Sequence, residues 1–328
     1  MSISISEAAF ELELQDFEAA KARIESDVII TPLLSYPTDD RNLLIKAECL
    51  QPLGSFKIRA GANAIAMVDE EKLRNGVVTA SAGNFGQGVT KAAKNRGLDV
   101  HVFVPDTASK SKVDSLINLG AKVTSVSFSD WWNIMMNRSA GVDGFFIHPV
   151  AELEVIIGNG VIGLEIATQY PDVDVLVVPF GGGGMISGIA LAMKALGKSP
   201  TIVACEIESS VPLSAAKNKG KPVQVERGES WIDGIGSTIV LNEMWPLLDA
   251  LVDEVVIVFN GEIYNFAELK VELEDKGYCF YGNSDTEVLL NLYIEFGKEM
   301  FARLNGIFAL AIWDKRNASL LIARDALG

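Results

Sequence analysis

The sequence predicts an α/β protein built on parallel sheets, followed by a shorter segment of α+β texture. Three observations carry that reading. Up to about residue 257, short β-branched runs alternate with segments of helical pattern, the arrangement that lays crossover helices over parallel sheets. Several helical segments run into glycine, a common helix stop. Beyond that point the alternation gives way to two amphipathic helices and a hairpin signal. At 328 residues the chain exceeds one average domain, so two or three packed units are expected.

Taken in order, "NLLIKAE" (42–48) reads as the first strand and "SFKIRAGANAIAMV" (55–68) as the first core helix. "GVVTAS" (76–81), "DVHVFVP" (99–105) and "KVTSVSF" (122–128) follow as strands, separated by the helices "NFGQGVTKAAKNRG" (84–97) and "SKSKVDSLINLG" (109–120). "VDVLVVPF" (173–180), "GMISGIALAMKALG" (184–197) and "TIVACEI" (201–207) complete a further strand–helix–strand unit. The uncharged run from Val175 to Met193 is long enough to raise a membrane question. Pro179 and four glycines in its middle divide it into a strand, a loop and a helix start. In the last segment "FALAIWDKRNASLLIARD" (308–325) reads as a hairpin with a polar turn at Asp314–Asn317.

Apolar residues make up 49% and charged residues 22%, a composition that builds large cores and argues against disorder. The formal charge of −15 argues against a nucleic-acid partner, which needs a basic surface. The acidic N-terminal stretch has no basic region before an apolar core, so no secretory signal is read there. Cys49, Cys205 and Cys279 lie far apart without CxxC spacing, which suggests neither a disulfide framework nor a zinc site. His101 and His148 read as packing or strand-end residues. No metal and no membrane partner is expected, and the default setting is cytoplasmic.

Three stretches carry candidate chemistry. In "LQPLGSFKIRAGAN", Lys57 follows Gly-Ser-Phe at a helix start. A buried amine there would lose its charge and become a Schiff-base nucleophile. For an arbitrary lysine the plain alternative is a solvated amine on an amphipathic helix. "SAGNFGQG" (81–88) is a small-residue turn opening a helix, where free backbone N–H groups can bind a carboxylate; alone it is an ordinary glycine-rich turn. "VVPFGGGGMISG" (177–188) delivers a strand into four glycines whose backbone can wrap an oxyanion, with a helix N-terminus favouring a phosphate dianion. It lacks the lysine of a P-loop and the spacing of a dinucleotide fingerprint.

Together and in this order, "KAECLQPLGSFKIRAGA", "SAGNFGQGV", "FIHP", "GLEI" and "PFGGGGMISGIA" are specific. On them, residues of about 15–257 resemble the fold-type II pyridoxal-phosphate enzymes, and within them the threonine/serine dehydratases. The resemblance implies two open parallel-sheet lobes: a large one from 1–53 and 149–257, C-terminally truncated, and a small one from 54–148. It implies pyridoxal 5′-phosphate as cofactor, with Lys57 as its attachment point and the catalytic base. Ser55 would lie on the phosphate side, Asn84 at the ring hydroxyl, and Gly181, Gly182, Gly183 and Gly184 around the phosphate. The turn formed by Ser81, Ala82, Gly83, Asn84 and on to Gln87 would receive the substrate carboxylate. The implied reaction converts L-threonine or L-serine to a 2-oxo acid and ammonia after Lys57 removes the Cα proton. The resemblance also implies a homo-oligomer.

Three positions depart from the family pattern. Phe85 stands where histidine usually follows the asparagine of the turn. Ala82 stands where racemases of the group place a serine base on the opposite face, which disfavours a two-base racemisation. Pro212 stands where an acid would follow Glu206 in members with a divalent-cation site, so no metal is expected there.

From Val258 on, "FNGEIYNF", "NSDTEVLL", "RLNGIFALAIWD" and "ARDALG" resemble class II glutamine amidotransferase domains of asparagine-synthetase type (258–328). That resemblance implies Asn260 and Gly261 as an oxyanion hole, and Glu262 and Asp285 as ligands of the glutamine amino group. The nucleophile of that family is a terminal cysteine with a free α-amino group, whereas Cys279 sits mid-domain. The glutamine site is therefore expected to be vestigial. Dehydratases continue past "LVDEVVIV" with helices and a Ser-Gly-Gly-Asn type run facing the pyridine nitrogen. Its replacement predicts weakened turnover and exposed apolar sheet surface. "ALVDEVVIVFNGEIYNFAELK" (250–270) reads as the junction of the two, and a non-catalytic binding protein is the alternative reading.

Overall fold

The computed structural model describes residues 4–36, 42–81, 83–207, 209–228, 232, 234–258, 262–280, 285–314 and 319–324. Two parallel sheets organise residues up to 258. The first places its strands in the order Lys122–Val126, Val100–Pro105, Val77–Ala80, Phe145–Phe146. The second orders Val175–Pro179, Thr201–Ile207 and Glu254–Val258. Helices Lys57–Met67, Asn84–Asn95, Lys110–Asn118 and Gly184–Ala195 form where the sequence pattern sets them. Glycines past their ends adopt left-handed backbone, Gly97 at φ 72° and Gly197 at φ 70° among them.

The "NLLIKAE" strand is a correction. Leu43–Lys46 joins neither parallel sheet but pairs antiparallel with Leu33–Tyr36, Leu34 facing Ile45. Its alternate exposure, with Leu43 and Ile45 outward, suits a two-stranded ribbon rather than a sheet covered on both faces. The largest unforeseen element is the helix Leu153–Gln169, apolar on almost every side and buried along most of its length. A helix apolar all round has no amphipathic period to announce it.

One continuous apolar core runs through both sheets and their helices, from Ala9 to Val252. A second, separate core is built from Ile263, Leu269, Leu273, Val288, Leu292, Met300 and their neighbours. It unites helices Phe266–Asp275 and Asp285–Phe296 with the antiparallel pair Glu262–Ile263 and Gly306–Ile307. The expected hairpin forms from Ala309–Asp314 and Ser319–Arg324, while most of its turn falls outside the described residues. On the edge strand Val175–Pro179 of the second parallel sheet one face is open among the described residues: Val177 is 61% exposed and Val175 50%, whereas Leu176 and Val178 are buried. Among the described residues no helix is long and apolar enough to cross a membrane.

Close helix crossings join the three chemistry-bearing segments. A Cβ on Gly88 would lie 2.8 Å from the carbonyl oxygen of Lys57, so only glycine lets the Asn84 helix meet the start of the Lys57 helix. A Cβ on Gly188 would strike the carbonyl oxygen of Ile156, which seats the Gly184 helix directly on Leu153–Gln169. Arg59 and Asn63 of the Lys57 helix bond to Glu165 and to the Glu154 carbonyl of that same long helix. The Gly188→Ala substitution is expected to lower stability by about 1–3 kcal/mol, because backbone cannot yield to the new methyl. A urea-melt midpoint equal to wild type would show that the crossing has slack.

Candidate active site

Lys57 opens its helix from a turn pinned by Gly54, at φ 68°, and by Ser55, which is buried. The Ser55 hydroxyl accepts the backbone N–H of Lys57 at 3.3 Å, fixing where the helix begins. Burial pushes the Lys57 amine down from 10.5 to about 8. Among the described residues it has no carboxylate or hydrogen-bond partner; its one recorded neighbour is the Phe56 ring, 4.8 Å from the amine. The residue as a whole is half-buried, so the stem retains some surface while the amine lies deep. An unpaired amine with a lowered pKa is poised as nucleophile and base.

Two residues on, Arg59 is wholly buried and closed in by acids. Its Nε and Nη2 reach Glu48 at 2.8 Å each, and Nη1 and Nη2 reach Glu165 at 2.7 and 2.9 Å. Lys46 shares Glu165 at 2.5 Å, and Thr31 donates to Glu48. Burial alone would lower the guanidinium pKa, but the hydrogen bonds from Glu48 and Glu165 prevail and hold it above its ordinary value.

The Ser81–Gln87 turn is brought against Lys57 by the Gly88 contact. Its capacity for a carboxylate is narrower than the motif implies. The Ser81 hydroxyl already accepts from the N–H groups of Gly83 and Gly86, at 3.3 and 3.2 Å. The N–H groups of Asn84 and Phe85 have no partner among the described residues, and Asn84 is exposed at the first turn. Open space lies beside Gly83, where an added Cβ would touch nothing within 4 Å. Gln87 is half-buried, Phe85 is buried in the core, and Ala82 lies outside the described residues.

Gly181–Gly184 leave the end of the Val175–Pro179 strand and enter the Gly184 helix, with Gly183 left-handed at φ 96° as its cap. Val150 packs behind Gly182 and Leu248 behind Gly183, so a side chain at either position would collide with them. The N–H groups from Gly182 to Ile186 have no acceptor among the described residues. They form a ready anion cradle at a helix N-terminus.

Sequence reasoning gave no site role to several buried polar groups in this part of the chain. His148 is buried, its Nδ1 accepting N–H from Val150 and Ala151 at 3.1 and 2.9 Å. Burial, then the Arg138 charge, pushes its pKa to about 3, so it is a neutral turn-former. Asn159 Oδ1 and Ser187 Oγ are buried without any partner among the described residues. Asn159 lies outside every motif, inside an apolar helix, and Ser187 falls within the stretch 177–188 without being given a role there. Glu206 is buried, with its carboxylate taken by the N–H of Leu213 and by the N–H and hydroxyl of Ser214. Burial raises its pKa despite those bonds.

In the last segment, Asp285 Oδ2 accepts the N–H of Ile263 at 3.2 Å, and Glu262 begins a strand paired with Ile307. Asn260 and Gly261 fall outside the described residues, so their expected oxyanion role has no geometry here. Cys279 is exposed.

A buried unpaired lysine, a small-residue turn and a glycine cradle on crossing helices fit an enzyme with a phosphorylated aldehyde cofactor. The chain belongs to the pyridoxal-phosphate dependent enzyme family, whose profile matches residues 24–275. A glutamine amidotransferase domain profile matches residues 243–328, overlapping the first. Human serine racemase is 37% identical over 266 residues, covering 78% of each chain. The L-threonine ammonia-lyase of Thermotoga maritima is 36% identical over 77% of this chain and 64% of its own length. The solved structure of maize serine racemase superposes with a TM-score of 0.70 at 33% identity, covering 75% of this chain and 76% of its own. Pyridoxal phosphate is the family's cofactor, and the residues fit it: an unpaired amine for the aldehyde and unpaired cradle N–H groups for the phosphate.

Because the folded amine lies below its ordinary value of 10.5, charging it costs the fold. That stability is lost as pH falls from the ordinary value to about 8, and levels off below. Peptide mapping after brief treatment with an amine acylating reagent should find Lys57 labelled with a half-maximal rate at pH near about 8. A midpoint shared with the surface lysines would contradict the buried amine.

Proposed function

We propose that the chain is a pyridoxal-phosphate dependent ammonia-lyase that converts L-threonine or L-serine to a 2-oxo acid and ammonia. The observation that carries this reading is the Lys57 amine, buried, unpaired and lowered to about 8. When bound, the cofactor supplies an electron sink for charge developing at Cα. Lys57 would hold the cofactor's aldehyde, and its amine, when free, would take the Cα proton. The free N–H groups of Asn84 and Phe85 would orient the carboxylate, and the Asn84 side chain would hold the ring hydroxyl. Gly181–Gly184 hold the phosphate, with Ser55 securing the start of the Lys57 helix. Loss of the β-hydroxyl, protonated by the same lysine, leaves an enamine that water hydrolyses. The lobes divide at residues 1–53 with 149–257, and 54–148.

The racemase names among the relatives suggest a second outcome for the same proton. Racemisation needs a base on each face of Cα, and Ala82 offers no titratable group where racemases of the group carry serine. Elimination from one face is therefore the favoured course. A different reading, a non-catalytic binding protein, draws support from residues 243–328, which match an amidotransferase profile. We read that segment as asparagine-synthetase type, with an inactive glutamine site at Asn260, Gly261, Glu262 and Asp285.

Protein mixed with pyridoxal phosphate should develop a visible absorbance band that Lys57→Ala abolishes. L-threonine should then release 2-oxo acid and ammonia slowly, with no D-serine formed from L-serine. A wild-type protein without the band would favour the binding-protein reading. D-serine accumulating faster than 2-oxo acid would overturn the one-face argument.

A further inference from the structure

Two polar side chains behind the glycine cradle are buried and unsatisfied. Asn159 is 1% exposed and Ser187 fully buried, yet Asn159 Oδ1 and Ser187 Oγ have no partner among the described residues. A buried polar atom without a partner costs about 1–3 kcal/mol, so two at one helix crossing need a reason. Their position supplies one. Gly184, Ser187 and Gly188 lie on one face of their helix by the i, i+3, i+4 spacing, and that face meets Asn159. A Cβ on Gly188 would lie 3.2 Å from the Asn159 Cβ, and a Cβ on Gly184 would lie 3.6 Å from Asn159 Nδ2. The Asn159 amide therefore reaches the first residue of the helix whose N–H groups, from Gly182 to Ile186, are also unpaired.

We propose that Asn159 is a side-chain ligand of the phosphate held by the glycine cradle, with Ser187 orienting its amide. The Ser187 hydroxyl donates to Asn159 Oδ1, which turns the Nδ2–H donors toward the anion at the first turn. That bond satisfies both orphaned oxygens, and the anion takes the Nδ2–H donors it orients. Backbone N–H groups supply the cradle's shape; Asn159 adds the one side-chain donor on the side where Val150 offers only apolar surface. The assignment rests on the phosphate reading of the cradle and goes beyond it by naming side chains.

A ligand role and a packing role give opposite signatures. The Asn159→Leu substitution keeps the branch at Cγ and removes the unsatisfied Oδ1, so the cofactor-free protein should melt at or above the wild-type temperature. The same substitution should weaken inorganic phosphate and pyridoxal phosphate binding by about tenfold or more, as loss of a hydrogen bond to a charged group does. Thermal shift with inorganic phosphate and titration calorimetry with the cofactor measure the two effects. Ser187→Ala, which helix geometry tolerates, should act in the same directions more weakly, about threefold in affinity. It tests the assignment even if Asn159→Leu fails to fold. Wild type that binds pyridoxal phosphate while the variants bind it and inorganic phosphate equally well would overturn the side-chain assignment alone. Wild type that takes neither ligand would overturn the cradle reading and this assignment with it.

Discussion

The site depends on one buried cation, the Arg59 guanidinium. It stands two residues past Lys57 and holds both Glu48 and Glu165 in fork-like contacts, while Lys46 balances the second acid. The network is electrically closed, two positive groups against two negative ones. Its parts come from the N-terminal ribbon, the turn at Glu48–Leu50, the Lys57 helix and the long helix Leu153–Gln169. A buried pair of this kind adds little net stability over apolar packing, but removing one member strands a charge at a cost of about 3–5 kcal/mol. What it contributes is register. The Lys57 helix cannot slide along Leu153–Gln169 without breaking it, and the Gly184 helix is seated on that same long helix at Gly188.

The same logic separates the chain's two parts. The core from Ala9 to Val252 and the core from Ile263 to Ile312 share no buried residue, and the family profiles overlap only over 243–275. In the second part Asn265 bridges Arg303 and Asn305 through its side-chain amide, and Arg303 pairs with Glu272 over the Phe296 ring. Its internal polar contacts are thus made within itself. The bare Val175–Val177 face of the second sheet shows where the first part lacks cover among the described residues.

Much of this was legible because local pattern and tertiary role agreed. Strands such as Val100–Pro105 and helices such as Asn84–Asn95 bury what their periodicity marks as apolar, and the left-handed glycines past their ends stop them. Lys57, the Ser81 turn and the four glycines could be named because each sits at a helix start, where small residues and open N–H groups leave a visible trace. What stayed hidden had no such trace. Arg59 reads as one more cation until its acids, 11 and 106 residues away, are folded against it. Leu43–Lys46 has strand residues, but nothing local tells a ribbon from a parallel strand. Asn159 lies inside an apolar helix, where its neighbours give no sign of a binding role.

Trp131 Nε1 and Ser209 Oγ apart, the unsatisfied groups among the described residues gather on a few helices. The Lys57 amine, the N–H groups of Asn84 and Phe85, those of Gly182 to Ile186, and the side chains of Asn159 and Ser187 lie on helices that cross one another directly. Other buried polar groups are satisfied: Glu206 is taken up by a helix start, His148 by two turn N–H groups, Thr79 by the Ile147 carbonyl. A chain that closes those groups, yet leaves a lysine, a turn and a cradle open on helices that cross one another, forgoes stability where a ligand would return it. Local rules broken together on neighbouring helices are what a binding site leaves behind. The Arg59 clamp is what allows the cost to be borne, because it fixes the helices whether or not that ligand is present.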